Sequence, residues 1–337
     1  MRLHRAVWMV CALALSACMT GAPPVAMPPQ HDPNAYPNPY HVEEGWAKLG
    51  RKFGGVSAVD MDPDGKSVWV FERCGMSDDG CAKVKTLDPV LEFDSSGKLV
   101  RSWGKGDFLY PHGIFVGRDH HVWLVEGISQ SNVVADVIHE YTADGKLLRT
   151  MGASGTKGDS TDRFNGVSDV VVVPDGSIFV ADGHSDVTNN RILKYDHNGK
   201  FLLSWGKLGS GPGEFSAPHG LAMDREGRLY VADRNNNRIQ IFDQQGKFLG
   251  EWRQFGRPSG VFITKDDMIY VADSLSSEKN NPGFKNGIRW GHVSDGKVLG
   301  FIPWGEYNAI EGVAVDNDGN IFAGFTNVPN FRKFTKN

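Results

Sequence analysis

From Phe53 onward the chain alternates short apolar runs with polar turns, and the alternation itself repeats. Six segments share one order: a polar residue, a small residue, an alternating apolar run, a turn, then a second run rich in Val, Phe, Tyr and Trp. The first runs begin at Ser57, His112, Ser168, His219, Ser259 and Glu311, 40 to 56 residues apart. Period-2 patterning predicts strands, and Asp-Gly or Glu-Gly between two apolar runs predicts hairpins. Most repeats continue into another turn and strand, as in Ile239-Gln240-Ile241-Phe242-Asp243-Gln244-Gln245-Gly246-Lys247-Phe248-Leu249. About four strands per repeat is the content of one propeller blade. Six such repeats predict an all-β, six-bladed β-propeller. No run with a 3.6-residue period is long enough to compete.

Composition agrees with this and narrows the partners. The 337 residues include 41 glycines, 9 tryptophans and 19 phenylalanines, as many turns between aromatic strands require. Hydrophobic residues at 40% and charged residues at 23% exclude wholesale disorder. A net charge of −4 leaves no Lys/Arg excess for a nucleic-acid face, so none is expected as a partner.

The first residues follow a different pattern. Arg2 and Arg5 flank the start of an apolar run, Ala6 to Leu15, too short to span a bilayer as a helix. It ends in Leu15-Ser16-Ala17-Cys18, which resembles the lipobox of bacterial lipoproteins. The resemblance implies a signal peptide over 1–17 and lipidation of Cys18, with membrane contact through that anchor only. Met19 in place of Asp implies outer-membrane sorting in a Gram-negative host, with the domain in the cell envelope facing the periplasm. An ordinary secretory signal with an incidental cysteine is the alternative. Residues 18–44 are proline-rich and read as a linker, leaving 45–337 for the propeller. In an exported chain, Cys74 and Cys81 most simply close a short disulfide loop. A metal or redox role for that pair lacks a nearby third ligand.

Repeat phase locates the candidate chemistry. A blade's first strand runs beside the axis, so the six register residues form a ring. Blades two, four and six contribute His112, His219 and Glu311, while the others contribute serines. Alternate positions of a six-fold ring form a triangle. Two imidazoles and a carboxylate there make a ligand set for a divalent metal, zinc, with one position open. Either histidine alone also fits a water-bonded channel residue. Arg73 and Arg234 follow the second strands of blades one and four at one phase. Together they suit a clamp for a small-molecule or peptide-derived carboxylate substrate. Alone, each also fits a surface ion pair with Glu72 or Asp233. Trp103, Trp205 and Trp252, at equivalent blade ends, read as inter-blade packing.

The segment Gly220 to Phe242 resembles the NHL repeat. Pro111-His112-Gly113, Ser168-Asp169-Val170 with Phe179 to Gly183, Pro218-His219-Gly220 and Ala232-Asp233-Arg234 make residues 53 to 335 resemble the catalytic domain of peptidyl-α-hydroxyglycine α-amidating lyases. In that family three histidines at the ring hold zinc, and Glu311 occupies the third of those positions. The two arginine positions serve catalysis there, and His184 stands where the family carries a tyrosine. The resemblance therefore implies Arg73, His184 and Arg234 as catalytic, with His184 moving the proton. Gly312 replaces an aspartate of the family's calcium site, so that calcium is not expected. The reaction implied is C–N cleavage of an α-hydroxyglycine-type group to an amide and glyoxylate. A non-catalytic propeller binding a protein or glycan at the envelope is the alternative; a calcium-dependent lactonase would need more acidic ring positions.

Overall fold

A computed structural model describes residues 32–128, 133–305 and 309–337. The signal peptide over 1–17 and the lipidation site Cys18 lie outside the described residues. Six four-stranded antiparallel sheets follow one another along the chain. Blade one holds β2 (Val56–Met61), β3 (Val68–Glu72), β4 (Val90–Phe93) and β5 (Leu99–Trp103). Blade two holds β6 (Pro111–Val116), β7 (Val122–Ile128), β8 (Val134–Tyr141) and β9 (Leu147–Gly152). Blade three holds β10 (Val167–Val172), β11 (Ile178–Asp182), β12 (Arg191–Tyr195) and β13 (Phe201–Trp205). Blade four holds β14 (Pro218–Met223), β15 (Leu229–Asp233), β16 (Arg238–Phe242) and β17 (Phe248–Trp252). Blade five holds β18 (Pro258–Ile263), β19 (Met268–Asp273), β20 (Gly287–His292) and β21 (Val298–Pro303). Blade six holds β22 (Ile310–Val315), β23 (Ile321–Phe325) and β24 (Asn330–Lys336), completed by β1 (Tyr40–Val42). First strands of neighbouring blades pack in a closed cycle, with β22 against β2.

Closure of the ring corrects the linker boundary. Tyr40–Val42, placed in the linker by its prolines, is the outer strand of blade six, with Tyr40 opposite Lys336 and Val42 opposite Phe334. The Tyr40 ring packs edge-on against Trp290, and its hydroxyl donates to the Gly319 carbonyl at 3.1 Å. Pairing β1 with β24 supplies the fourth strand of blade six and ties together segments from the two sides of the ring's closure. Proline density marks extended chain, and an outer strand with one free edge tolerates flanking prolines.

Two repeated devices hold the blades in register. Trp103, Trp205 and Trp252 each cover a hairpin glycine of the next blade, where an added Cβ would lie 2.6 to 2.7 Å from the indole. Those glycines, Gly145, Gly246 and Gly296, have φ of +82°, +79° and +67° and admit no side chain on either count. The second device is a buried acid at the end of the second strand: Glu72, Glu126, Asp182, Asp233 or Asp273. In the first four blades its carboxylate accepts backbone N–H groups of the segment leading into that blade's first strand, from Gly54, Leu109 and Tyr110, Asn165 and Ser216. An arginine covers four of these acids, as Arg51, Arg191, Arg238 and Arg289 at 2.7 to 2.9 Å. The core itself lies between blades. Trp123, Val125 and Ile138 of blade two, for example, pack with Val170, Ile178 and Val180 of blade three.

In all six blades the ladder between first and second strands slips once. The slip falls on Ser57, His112, Ser168, His219, Ser259 and Glu311. An extra, unpaired residue turns its side chain out of the pleat, and here it turns toward the axis. The ring read from repeat phase is therefore a ring of β-bulges.

A cavity of about 150 Å³ occupies the axis, lined among others by Ser57, Asp60, His112, Asp169, His219 and Glu311. Two of its carboxyls stitch neighbouring blades. Asp60 accepts from Val116 N at 2.7 Å, and Asp169 from Leu221 N at 2.8 Å. Burial nevertheless dominates and pushes Asp60 up to about 7 and Asp169 up to about 8. The folded state thus keeps protons that the unfolded chain releases near pH 4. Where the native state binds more protons, stability falls as pH rises. Between about pH 7 and 8, above the range in which the buried histidines titrate, melting temperature is expected to decline, with a slope that Asp169→Asn flattens. An unchanged slope in that variant would contradict the assignment.

Candidate functional site

The site lies where first strands begin and second strands end. His112 and His219 are bulge residues of β6 and β14, 3% and 5% exposed. The glycine after each permits a close approach of the next blade. A Cβ on Gly113 would lie 2.8 Å from the Ser168 carbonyl oxygen, and one on Gly220 2.3 Å from that of Ser259. Those same carbonyls face the imidazoles: His112 Nδ1 is 2.7 Å from Ser168 O, and His219 Nδ1 is 3.3 Å from Ser259 O. Nδ1 must carry the proton to donate there, which leaves each Nε2 as a lone pair aimed at the hub. Gly220→Ala is expected to displace the Ser259 carbonyl and tilt His219 while the propeller still folds. Lost cobalt or zinc binding with a preserved far-ultraviolet spectrum would record this.

The third imidazole belongs to His184, on the loop after β11. Ring centroids are 4.8 Å apart for His112 and His184, 4.9 Å for His112 and His219, and 5.1 Å for His184 and His219. One nitrogen from each lies within 4.8 Å of the others. The loop is folded by its own polar groups: Thr188 Oγ1 accepts from the His184 and Ser185 N–H groups, and Asn190 Nδ2 donates to the Ser185 and Thr188 carbonyls. All three Nε2 atoms are buried without a hydrogen-bond partner among the described residues. Burial lowers His112 to about 4 and holds His184 and His219 well below the usual histidine range, with nearby Arg234 adding to both of the latter. Three neutral imidazoles with buried, unpartnered Nε2 atoms form a donor set that suits a divalent metal.

Glu311 is not a member of this cluster. Its Oε2 accepts from Arg73 Nη2 at 3.3 Å. Arg73 also donates from Nε to the Pro111 carbonyl at 3.2 Å and stacks over Tyr110 at 4.5 Å. A guanidinium held beside the hub needs a counter-charge, and Glu311 is the acid in reach. The expected ligand set of His112, His219 and Glu311 thus becomes His112, His184 and His219 in geometry, and His184 is no free proton carrier. Arg73 and Arg234 do approach one face, but not as an equivalent pair. Arg234 Nη2 donates to the His184 carbonyl at 3.0 Å, while its Nε has no partner among the described residues. Burial lowers Arg234 to about 10, Glu311 opposing and Arg257 and Arg73 adding.

Arg257 is the site residue that motif reading missed. It stands two residues before the bulge at Ser259, the phase that Tyr110 occupies in blade two. Its Nη2 donates to Asn235 Oδ1 at 2.5 Å, and its Nη1 is buried without a partner among the described residues. No comparison of bulge residues reaches it, because it lies on the connecting segment ahead of β18. Cys74 and Cys81 are disulfide-bonded, and the loop they close begins at the residue after Arg73. A second group, Asp119, His121 and Glu140, lies at the opposite rim, where Arg149 already holds Glu140 through Nε and Nη2.

Residues 215–242 match the family model described as the NHL repeat. The chain is a six-bladed β-propeller that carries an NHL repeat. It is 30% identical over 203 residues to NHL repeat-containing protein 3 of Homo sapiens, an alignment covering 58% of this chain and 54% of that protein. It is 31% identical over 219 residues to peptidyl-α-hydroxyglycine α-amidating lyase 1 of Drosophila melanogaster, covering 58% of this chain and 38% of that protein. The chain therefore spans about half or less of these relatives' length. Among solved structures, a gluconolactonase from Xanthomonas campestris superposes with a TM-score of 0.60 at 16% identity, covering 93% of this chain and 99% of that one. At that identity the likeness is one of fold.

Proposed function

We propose that this propeller is a metal-dependent carbon–nitrogen lyase acting on an α-hydroxyglycine-type substrate, releasing an amide and glyoxylate. The observation that carries the reading is three buried imidazoles, each with an unpartnered Nε2 and each offering a nitrogen within 4.8 Å of the others. A divalent metal held by His112, His184 and His219, zinc by donor type, would supply a Lewis acid for a substrate oxygen. Glu311, aligned by Arg73, takes the proton of the substrate hydroxyl. The oxygen electrons form the aldehyde carbonyl as the C–N bond breaks, and its electron pair leaves with nitrogen, which receives the proton back. Arg234 holds the substrate carboxylate through its open Nε. The buried walls keep the proton exchange out of bulk water.

The test uses N-benzoyl-α-hydroxyglycine with zinc-loaded protein and glyoxylate release as the readout. Glu311→Gln is expected to lower kcat by about 10²–10⁴-fold with metal content retained. No glyoxylate from the wild-type protein overturns the reading. The second reading is a propeller that binds a protein or glycan without turnover; the chain is as similar to NHL repeat-containing protein 3, a name that states no reaction, as to the lyases. We also propose that Cys18 carries the lipid anchor at the bacterial envelope, on the residues Leu15-Ser16-Ala17-Cys18. Cys18→Ser should then shift the protein from the membrane to the soluble fraction.

A further inference from the structure

Two guanidinium groups at the site hold donors that no described residue accepts: Nε of Arg234 and Nη1 of Arg257. Arg73, on the other wall, has no such vacancy toward a ligand's charge, because Glu311 neutralises it and Tyr110 covers its face. The three arginines therefore divide into one that is satisfied and two that are not. Arg234 is 7% exposed, and Arg257 is tied to the residue after it through the Asn235 side chain. The two cations feel one another, since the charge on Arg257 depresses Arg234. The acid facing Arg257 is Asp273, which already holds Arg289 at 2.9 Å. A buried donor left open forfeits its hydration with nothing in return. Two open donors on adjacent like charges form an arrangement that a ligand, rather than the fold, must complete.

We propose that Arg234 and Arg257 together seat a carboxylate, and that Arg257 is the residue that makes a free carboxylate obligatory in the ligand. Two open N–H groups on neighbouring cations equal in number the two oxygens of a carboxylate. A phosphate or sulfate would bring further oxygens with no further open buried donor on Arg234 or Arg257 to meet them. The identity of the carboxylate-bearing molecule rests on the lyase reading, but the seat does not. The arrangement leaves Arg73 to hold Glu311 while Arg257 takes the place beside Arg234 that repeat phase assigns to Arg73. Arg257 is a specificity residue, acting on what binds rather than on bond breaking.

The experiment is a calorimetric titration of the zinc-loaded full chain with N-benzoylglycine and with its neutral amide, N-benzoylglycinamide. Wild-type protein should bind the acid about 30-fold or more tightly than the amide, the scale for losing one partner of a buried charge pair. Arg257→Gln should lose most of that preference with little change toward the amide and with unchanged zinc content, and Arg257→Lys should recover part of it. Sulfate should compete poorly. Equal binding of acid and amide by the wild-type protein, or an intact preference in Arg257→Gln, overturns the proposal. The wild-type comparison needs no variant, so a folding defect in Arg257→Gln leaves the test decisive. Failure of the lyase reading is separable: it appears as absent glyoxylate release, whatever the acid–amide preference.

Discussion

Replacing His184 by alanine is expected to abolish zinc binding as fully as replacing His112 or His219, whereas Glu311→Gln keeps the metal. The reason lies in where the lone pairs point. Removing any of three converging imidazoles leaves two donors, and loss of one direct ligand should weaken affinity by more than the roughly 10–100-fold that outer partners cost. Glu311 offers its carboxylate to Arg73, so its amide variant removes a charge from the wall without touching the donor set. Metal analysis after dialysis against a weak chelator measures all four variants on one scale. Zinc retained by His184→Ala and lost by Glu311→Gln would restore the arrangement that repeat phase alone suggests. The same comparison separates a metal site from a cluster of unbound imidazoles, since in the latter none of the variants changes metal content.

Arg289→Ala should be the most damaging single change outside the site, lowering stability by about 3–5 kcal/mol. Arg289 and Asp273 are both fully buried and meet at 2.9 Å. The guanidinium also donates to the Lys285 carbonyl and to Pro33 and Asn34, and it lies over the Phe301 ring at 4.0 Å. Burial pushes Asp273 up to about 6 even with Arg289 opposing. Without Arg289, that buried carboxylate loses its ion-pair partner, and the segment leading to β1 loses its tether to blade five. Thermal melting should fall by about 10 °C. Adding Asp273→Asn removes the stranded carboxylate and should recover a good part of the loss. If the double variant melts lower than Arg289→Ala, the ion pair is not the cause.

Much of this architecture is legible along the chain because it is copied six times. The bulge residues, the hairpin glycines and the strand-end acids recur at one phase, so a pattern too weak to read once becomes readable through repetition. His112 and His219 follow from it directly, as does the approach of Arg73 and Arg234 to one face. The same reasoning fails for Glu311, because it assumes that equal phase means equal role. A bulge fixes the direction of a side chain but not its partner. Which group Glu311 meets depends on Arg73, 238 residues away in sequence and adjacent only once the ring closes.

His184 and Arg257 escape phase for a related reason. Each sits on a connecting segment whose path is set by local hydrogen bonds, Thr188 and Asn190 for the first and Asn235 for the second. Blades share strands but not connections, so no sixfold comparison predicts where a loop side chain ends. The closing strand is hidden likewise, since Tyr40–Val42 has no repeat of its own and gains its meaning only from Lys336 to Phe334 across the seam.

From the order of its residues alone, then, this protein is a ring of six sheets with two imidazoles at the hub, because strand alternation and turn chemistry act over a few residues and need no distant partner. The third imidazole, the pairing of Glu311 with Arg73, the open donors of Arg257 and the seam between the chain ends were decided by tertiary structure. Each depends on groups that come within a few ångströms only after the blades have closed into a circle.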